Sequence, residues 1–208
     1  KAYYFLQMTD IWGDIPYTEA LQGDKNYAPK YDKQQDIYTA LFKELTEAVA
    51  QINESEAAVV GDVLLNGNMA AWKRFANTTR MVMALRISKA DIAKGKTEYA
   101  AALAAGVITS NAQNISYKYI AGDPNNYNPW YNNYTISNRN DYAISKTMTD
   151  YMDPKADPRL PVFAETLAGG VIKGLPYGRN VAVNIPAAFS RIGAAFRNQD
   201  APLTLHNY

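Results

Sequence analysis

The chain has 208 residues, 48% of them hydrophobic and 20% charged, with a net charge of +1. That length forms one large domain or two small ones and buries roughly three quarters of the unfolded surface. The composition excludes a disordered chain, and the near-zero charge with no Lys/Arg run gives nothing for nucleic acid to bind. There is no cysteine, which removes disulfides, thiolate chemistry and Cys-based metal sites. No apolar run approaches the ~20 residues needed to cross a bilayer.

The chain opens on KAYYFLQMTDIW, already amphipathic, without a charged-then-apolar leader. DIWGDIPYTEA, Asp10 to Ala20, sets Gly13 and Pro16 among apolar residues and reads as a turn. GDKNYAPKYD, Gly23 to Asp32, reads as polar connector. From Lys33 to Asn53, Ile37, Leu41, Leu45, Val49 and Ile52 recur at spacings of three and four, which predicts a helix with one buried stripe. Asp32 with Gln35 three residues on predicts a capping box at its start.

A second helix is predicted from Asn68, its N-cap, to about Ala90, with Trp72, Phe75, Ala76, Thr79, Val82, Met83 and Leu85 giving a wide apolar face. A third, from about Thr97 to Ala105, is Ala-rich and calls for a close neighbour, and Gly106 is placed to end it in a left-handed conformation. After Gly106 the helical period fails until about Tyr142. There Ile144, Met148 and Tyr151 mark a short helix, with Asp141 as N-cap and Asp153-Pro154 as its stop. Asp157-Pro158-Arg159-Leu160-Pro161 predicts an extended path, and short strands are expected at Val162–Ala164 and Val181–Ile185. The chain stops at LTLHNY without a polar tail, so both ends read as cut from something longer.

Tyr is over-represented, at 16 residues against 6 Phe and 3 Trp, as expected where one side of an aromatic stays wet. The densest case is NNYNPWYNNYTISNRNDY, Asn125 to Tyr142, with seven Asn and five aromatics in eighteen residues. An aromatic ring stacks on the C–H face of a sugar, worth about 1–2 kcal/mol by area, while an Asn amide bridges neighbouring hydroxyls. Tyr127, Asn128, Trp130, Tyr131, Asn133, Tyr134 and Arg139 are the candidate ligand-binding residues on this ground. The same composition also fits Asn in turns and aromatics pinning the loop to a core.

Catalytic candidates are few. The one histidine, His206, lies two residues from the end and reads as incidental, so His-based triads and multi-His metal sites are not expected. No phosphate-cradling glycine pattern or EF-hand spacing occurs, and neither a cofactor nor a metal is predicted. Asp123, Asp141, Asp150 and Glu165 lie near the aromatic stretch, but nothing sets two of them face to face as a glycosidase needs. Four Asn-X-Ser/Thr sequons, at Asn53, Asn77, Asn114 and Asn133, are read as coincidence in an Asn-rich chain.

GDIPYTEA at Gly13–Ala20, then YDKQQDIYTALFKELTEA, WKRFANTTRMVMALRIS, DYAISKTMTDYM with DPRLPVFA, GLPYG and SRIGAAF follow one another in an order that resembles the SusD/RagB family of bacterial outer-membrane nutrient-binding lipoproteins. The resemblance spans nearly the whole chain. It implies a mainly α fold of tetratricopeptide-like helix pairs with long irregular loops and a few short strands. Residues 1–106 would be the helical-repeat part and 107–208 the loop-rich, ligand-binding part of a single SusD-like domain fragment. It further implies a non-catalytic, outward-facing outer-membrane protein of Bacteroidetes type that captures oligosaccharides or polysaccharides for a SusC-like TonB-dependent transporter. Membrane attachment would be through a lipid anchor outside this chain. Peptide capture by the same architecture and a helical-repeat protein-interaction scaffold are the alternatives.

Overall fold

A computed structural model describes residues 1–57, 59–178, 185 and 187–207. Two compact units are present: one formed by Lys1–Ile115 with Thr204–Tyr208, the other by Ser116–Leu203.

The first unit is helical. α1 (Ala2–Trp12), α2 (Gln34–Gln51), α3 (Met69–Arg86) and α4 (Ile92–Ala104) pack in chain order, each against the next. Phe5 and Leu6 of α1, the predicted Ile37, Leu41 and Leu45 stripe of α2 with Phe42, and Met83 and Ala84 of α3 form one core with Ile15 and Tyr17. Phe75, Ile108 and Ile115 form a second, covered by Tyr3, Trp72 and Leu205.

The helix ends show where local signals were and were not sufficient. Asn68 caps α3 as expected, its side chain accepting from the Ala71 N–H at 2.9 Å. Gly106 ends α4 at φ 93°. The predicted Asp32–Gln35 capping box does not form. Asp32 turns back instead, accepting from the Tyr17 and Thr18 N–H groups and the Thr18 hydroxyl, and so closes the GDIPYT turn. The Gln34 N–H of α2 is satisfied by Asp14 at 2.9 Å, twenty residues upstream.

α1 takes in Asp10 to Trp12, where the sequence predicts a turn, and stops only at Gly13, φ 74°. α3 ends at Arg86, short of Ala90. α4 begins five residues before the predicted Thr97, because Asp91 caps it and Gly95 is accommodated in its first turns. Gly95 is there for space: a Cβ would meet the Ala84 carbonyl at 3.0 Å. Asn77, one of the sequons, is buried and donates to the Ala105 and Gly106 carbonyls, tying α3 to the end of α4.

β1 (Ile115–Tyr117) and β2 (Leu203–His206) form a two-stranded sheet. His206 is not incidental. Its Nε2 lies 2.9 Å from Thr79 Oγ1, and its ring meets Tyr3 and Phe75 edge-on at 5.7 and 5.4 Å. Thr79 already gives its proton to the Phe75 carbonyl, so the imidazole Nε2–H is the donor. Burial holds the ring's pKa below its ordinary value, with the Arg86 charge adding to the shift.

The second unit is mostly ordered loop around α5 (Pro129–Tyr131), α6 (Lys146–Met152) and α7 (Leu160–Phe163). Ser145 caps α6, not Asp141, which pairs with Arg139. A 3-10 turn, Asp153–Lys155, carries the helix through Pro154 before the left-handed Ala156 stops it. The expected strand at Val162–Ala164 and the extended path through 157–161 are both overturned. Asp157 accepts from the Arg159 N–H at 3.0 Å and forks its guanidinium, which sets a turn leading into α7. The paired arginine brings the Asp157 carboxyl down to a pKa of about 2. Of the expected strand Val181–Ile185, residues 181–184 lie outside the described residues.

Four segments of this unit are stitched through their backbones: Ile144 to Ser190, Leu175 to Ile144, and Gly193 to Phe163 at 2.8 Å. Gly193 permits the last contact, since a Cβ there would lie 1.8 Å from the Val162 carbonyl oxygen.

Candidate functional site

The Asn- and aromatic-rich stretch belongs to the second unit and is held by one amide. Asn128 is buried. Its Oδ1 accepts from the Trp130 and Tyr131 N–H groups at 2.7 and 3.3 Å, capping α5. Its Nδ2 donates to the Ala201 carbonyl at 2.7 Å, and its own N–H to the Gln199 carbonyl at 2.8 Å. With Pro129 at the first helical position, this fixes the backbone under Trp130 and Tyr131.

Beyond α5 the chain continues as a wide π-type turn, Asn132–Ile136, which buries Tyr134. The Tyr134 hydroxyl donates to the Tyr142 carbonyl at 2.6 Å, closing the stretch on itself. The Arg197 and Arg191 guanidinium groups lie 4.9 and 5.7 Å from the Tyr134 ring, and both pair with Glu165. Burial pushes the Tyr134 phenol up. Asn128 and Tyr134 therefore act in the fold of the loop itself.

The other candidates are partly exposed. Trp130 meets Tyr142 edge-on at 4.9 Å and 80°, and Tyr127 meets Tyr131 at 5.1 Å and 76°. In an edge-to-face pair the ring whose edge is used does not have its faces covered by that partner. Asn133 presents a buried Oδ1 with no hydrogen-bond partner among the described residues. Arg139 is exposed and paired with Asp141. The structure thus offers two orthogonal aromatic pairs on a clamped backbone, with amide and guanidinium groups beside them.

Several participants gave no local signal. Gln199 donates its Nε2–H to the Tyr131 hydroxyl at 3.0 Å and accepts from the Gly122 N–H at 3.1 Å, across 68 and 77 residues. Glu165 and its two arginines are likewise separated by at least 26 residues. Such partners are visible only once the chain is folded. The carboxylates weighed for catalysis each have their own occupation. Asp123 takes the Asn125 N–H and the Asn126 amide of a tight turn, Asp150 pairs with Lys146, and Glu165 with two arginines.

Two clefts lie elsewhere. One of about 620 Å³ in the first unit is lined by Tyr38, Thr39, Arg86 and Lys94 among others. One of about 590 Å³ in the second is lined by Lys146, Asp150, Lys173 and Phe189 among others. Neither includes a residue of the 125–142 stretch.

A sequence model of the family described as "Starch-binding associating with outer membrane" matches residues 1–208. The chain belongs to this SusD-like family. Among solved structures, a chitin-binding protein is 32% identical with a TM-score of 0.82, covering all of this chain. A chitin-binding SusD homologue from Flavobacterium johnsoniae is 30% identical at TM-score 0.77 over 96% of the chain, and a SusD homologue from Bacteroides uniformis 27% identical at 0.82 over 98%. The SusD-like chain described here spans 47, 42 and 43% of those three proteins. No curated protein sequence matches it. The mainly helical architecture with long loops is that of its SusD-like relatives.

Proposed function

We propose that this SusD-like chain is the ligand-binding portion of a non-catalytic, outward-facing outer-membrane lipoprotein that captures glycans and hands them to a SusC-like TonB-dependent transporter. Family membership supports the outer-membrane setting, and two relatives at 30% identity or above are chitin-binding by name. The observation that carries the reading is the clamped platform: Trp130 and Tyr131 sit half-buried on a backbone that Asn128 immobilises.

Capture without chemistry needs faces and amides and no activated group. In this reading Tyr127, Trp130 and Tyr131 stack on sugar rings, and Asn133 and Arg139 add hydrogen bonds, while Asn128 and Tyr134 hold the loop. Prior fixation of the backbone lowers the ordering cost of binding, which suits recognition of a flexible glycan by weak contacts. The loop-rich 107–208 portion carries the ligand site, and residues 1–106 are the helical-repeat part.

Affinity electrophoresis through gels containing soluble starch or glycol chitin, with a pull-down on insoluble chitin, tests this. Retardation or retention with the polymer left uncut supports capture; released oligosaccharides or indifference to every glycan overturns it.

A further inference from the structure

Gln199 is a side chain to which neither the family nor the composition assigns a role. Two segments converge on it. Its backbone carbonyl accepts from Asn128, its Oε1 from the Gly122 N–H at 3.1 Å, and its Nε2 donates to the Tyr131 hydroxyl at 3.0 Å. A backbone N–H can only donate, so the Gly122 contact fixes which end of the amide is oxygen. The nitrogen must then face Tyr131, and the Tyr131 oxygen must be the acceptor. The phenolic proton has no acceptor among the described residues, so it is held as a donor away from Gln199.

We propose that Gln199 is a positioning residue that presents the Tyr131 hydroxyl to ligand as an obligate hydrogen-bond donor. This rests on the glycan-capture reading above. Stacking alone tolerates many ring orientations, but a directed O–H selects sugars with an acceptor oxygen where the Tyr131 proton points. An acetamido carbonyl, a hydroxyl or a glycosidic oxygen qualifies. The same amide holds the tip of the turn that begins at Ile120, whose N–H bonds the Asn126 carbonyl at 3.0 Å immediately before Tyr127. One side chain thereby couples the Tyr127–Tyr131 pair to the polarity of its outer hydroxyl.

Gln199→Glu separates this role from a purely structural one. A carboxylate is nearly isosteric, still accepts from Gly122, and accepts from Tyr131 too, so the loop keeps both contacts while the phenolic proton turns inward. Titration calorimetry of the wild-type chain, Gln199→Glu and Tyr131→Phe against chitohexaose and maltohexaose, above pH 7, reads the effect. The expected result is a loss of roughly three- to tenfold in affinity for both variants, with no further loss when they are combined and with unchanged unfolding midpoints. Wild-type affinity in Gln199→Glu overturns the assignment of Gln199 and leaves capture standing. If Gln199→Glu fails to fold, Tyr131→Phe, which keeps the Gly122 and Asn128 contacts, decides: unaltered affinity overturns the proposal. Failure of the wild type to bind either sugar overturns the capture reading, and this proposal with it.

Discussion

Asn128 donates its side-chain N–H to the Ala201 carbonyl at 2.7 Å, across 73 residues of sequence. The same amide caps the helical turn bearing Trp130 and Tyr131, so these half-buried aromatics are tied to a buried return of the chain.

Replacing Asn128 by Ala leaves two N–H groups and a buried carbonyl unpaired. The expected cost is about 2–3 kcal/mol, from a lost cap plus an orphaned buried acceptor. Denaturant unfolding followed by circular dichroism checks it, and glycan affinity should fall in parallel because the platform loses its support. Destabilisation under about 0.5 kcal/mol would contradict the role given to this amide.

Asp62 is a comparable clamp in the first unit. It accepts from the Leu64, Leu65 and Gly67 N–H groups and from the Trp72 indole at 2.7 Å. Burial opposes its charge, but these donors together hold its carboxyl below the usual range. Asp62→Ala should lower stability by about 2–3 kcal/mol, measured by urea titration with Trp fluorescence, with glycan binding by the second unit retained. A neutral substitution would refute the clamp.

His206 gives the chain a pH dependence of stability with a definite sign. Burial keeps the folded imidazole neutral, so its pKa lies below the unfolded value of about 6.5. The unfolded state then binds the proton first. This contribution is intact above about pH 6.5 and is lost as pH falls from there toward the lowered folded value. The Tyr3 hydroxyl nearby, which burial pushes up, stays protonated throughout. Urea midpoints should therefore fall between about pH 7.5 and 5.5, and this slope should flatten in His206→Gln. An equal slope in both proteins would contradict the account.

Gly193 tests the stitching of the second unit. A methyl group there collides with the Val162 carbonyl, which is backbone and cannot rotate away. Gly193→Ala should destabilise that unit by more than about 2 kcal/mol, seen as a lower thermal midpoint and faster proteolysis within residues 116–203. Wild-type protease resistance would show that the contact relaxes at little cost.

Legibility in the sequence followed the range of the interaction. The Ile37, Leu41 and Leu45 stripe and the Asn68 cap are local, and both helices are where they read. Gly95 hid the first turns of α4, because its tolerance depends on the close approach of α3. Asp14 took the place at the start of α2 that spacing assigns to Asp32, since each answers to a partner more than a dozen residues away. Asp157 bent a stretch that its prolines alone would extend. In the candidate site, composition singled out Trp130 and Tyr131 but not Gln199, Arg191 or Arg197, whose partners only the fold supplies.

In the proposed capture, Trp130 and its neighbours stack on sugar. Titration of the wild-type chain and Trp130→Ala with chitin- and starch-derived oligosaccharides tests it most directly. Losing one stacked ring should cost about 1–2 kcal/mol, roughly five- to thirtyfold in affinity, which brings weak binding to the edge of detection while the unfolding midpoint stays put. Undiminished affinity in Trp130→Ala, or a collapse of stability with binding intact, would contradict the account and make Trp130 an anchor of the loop.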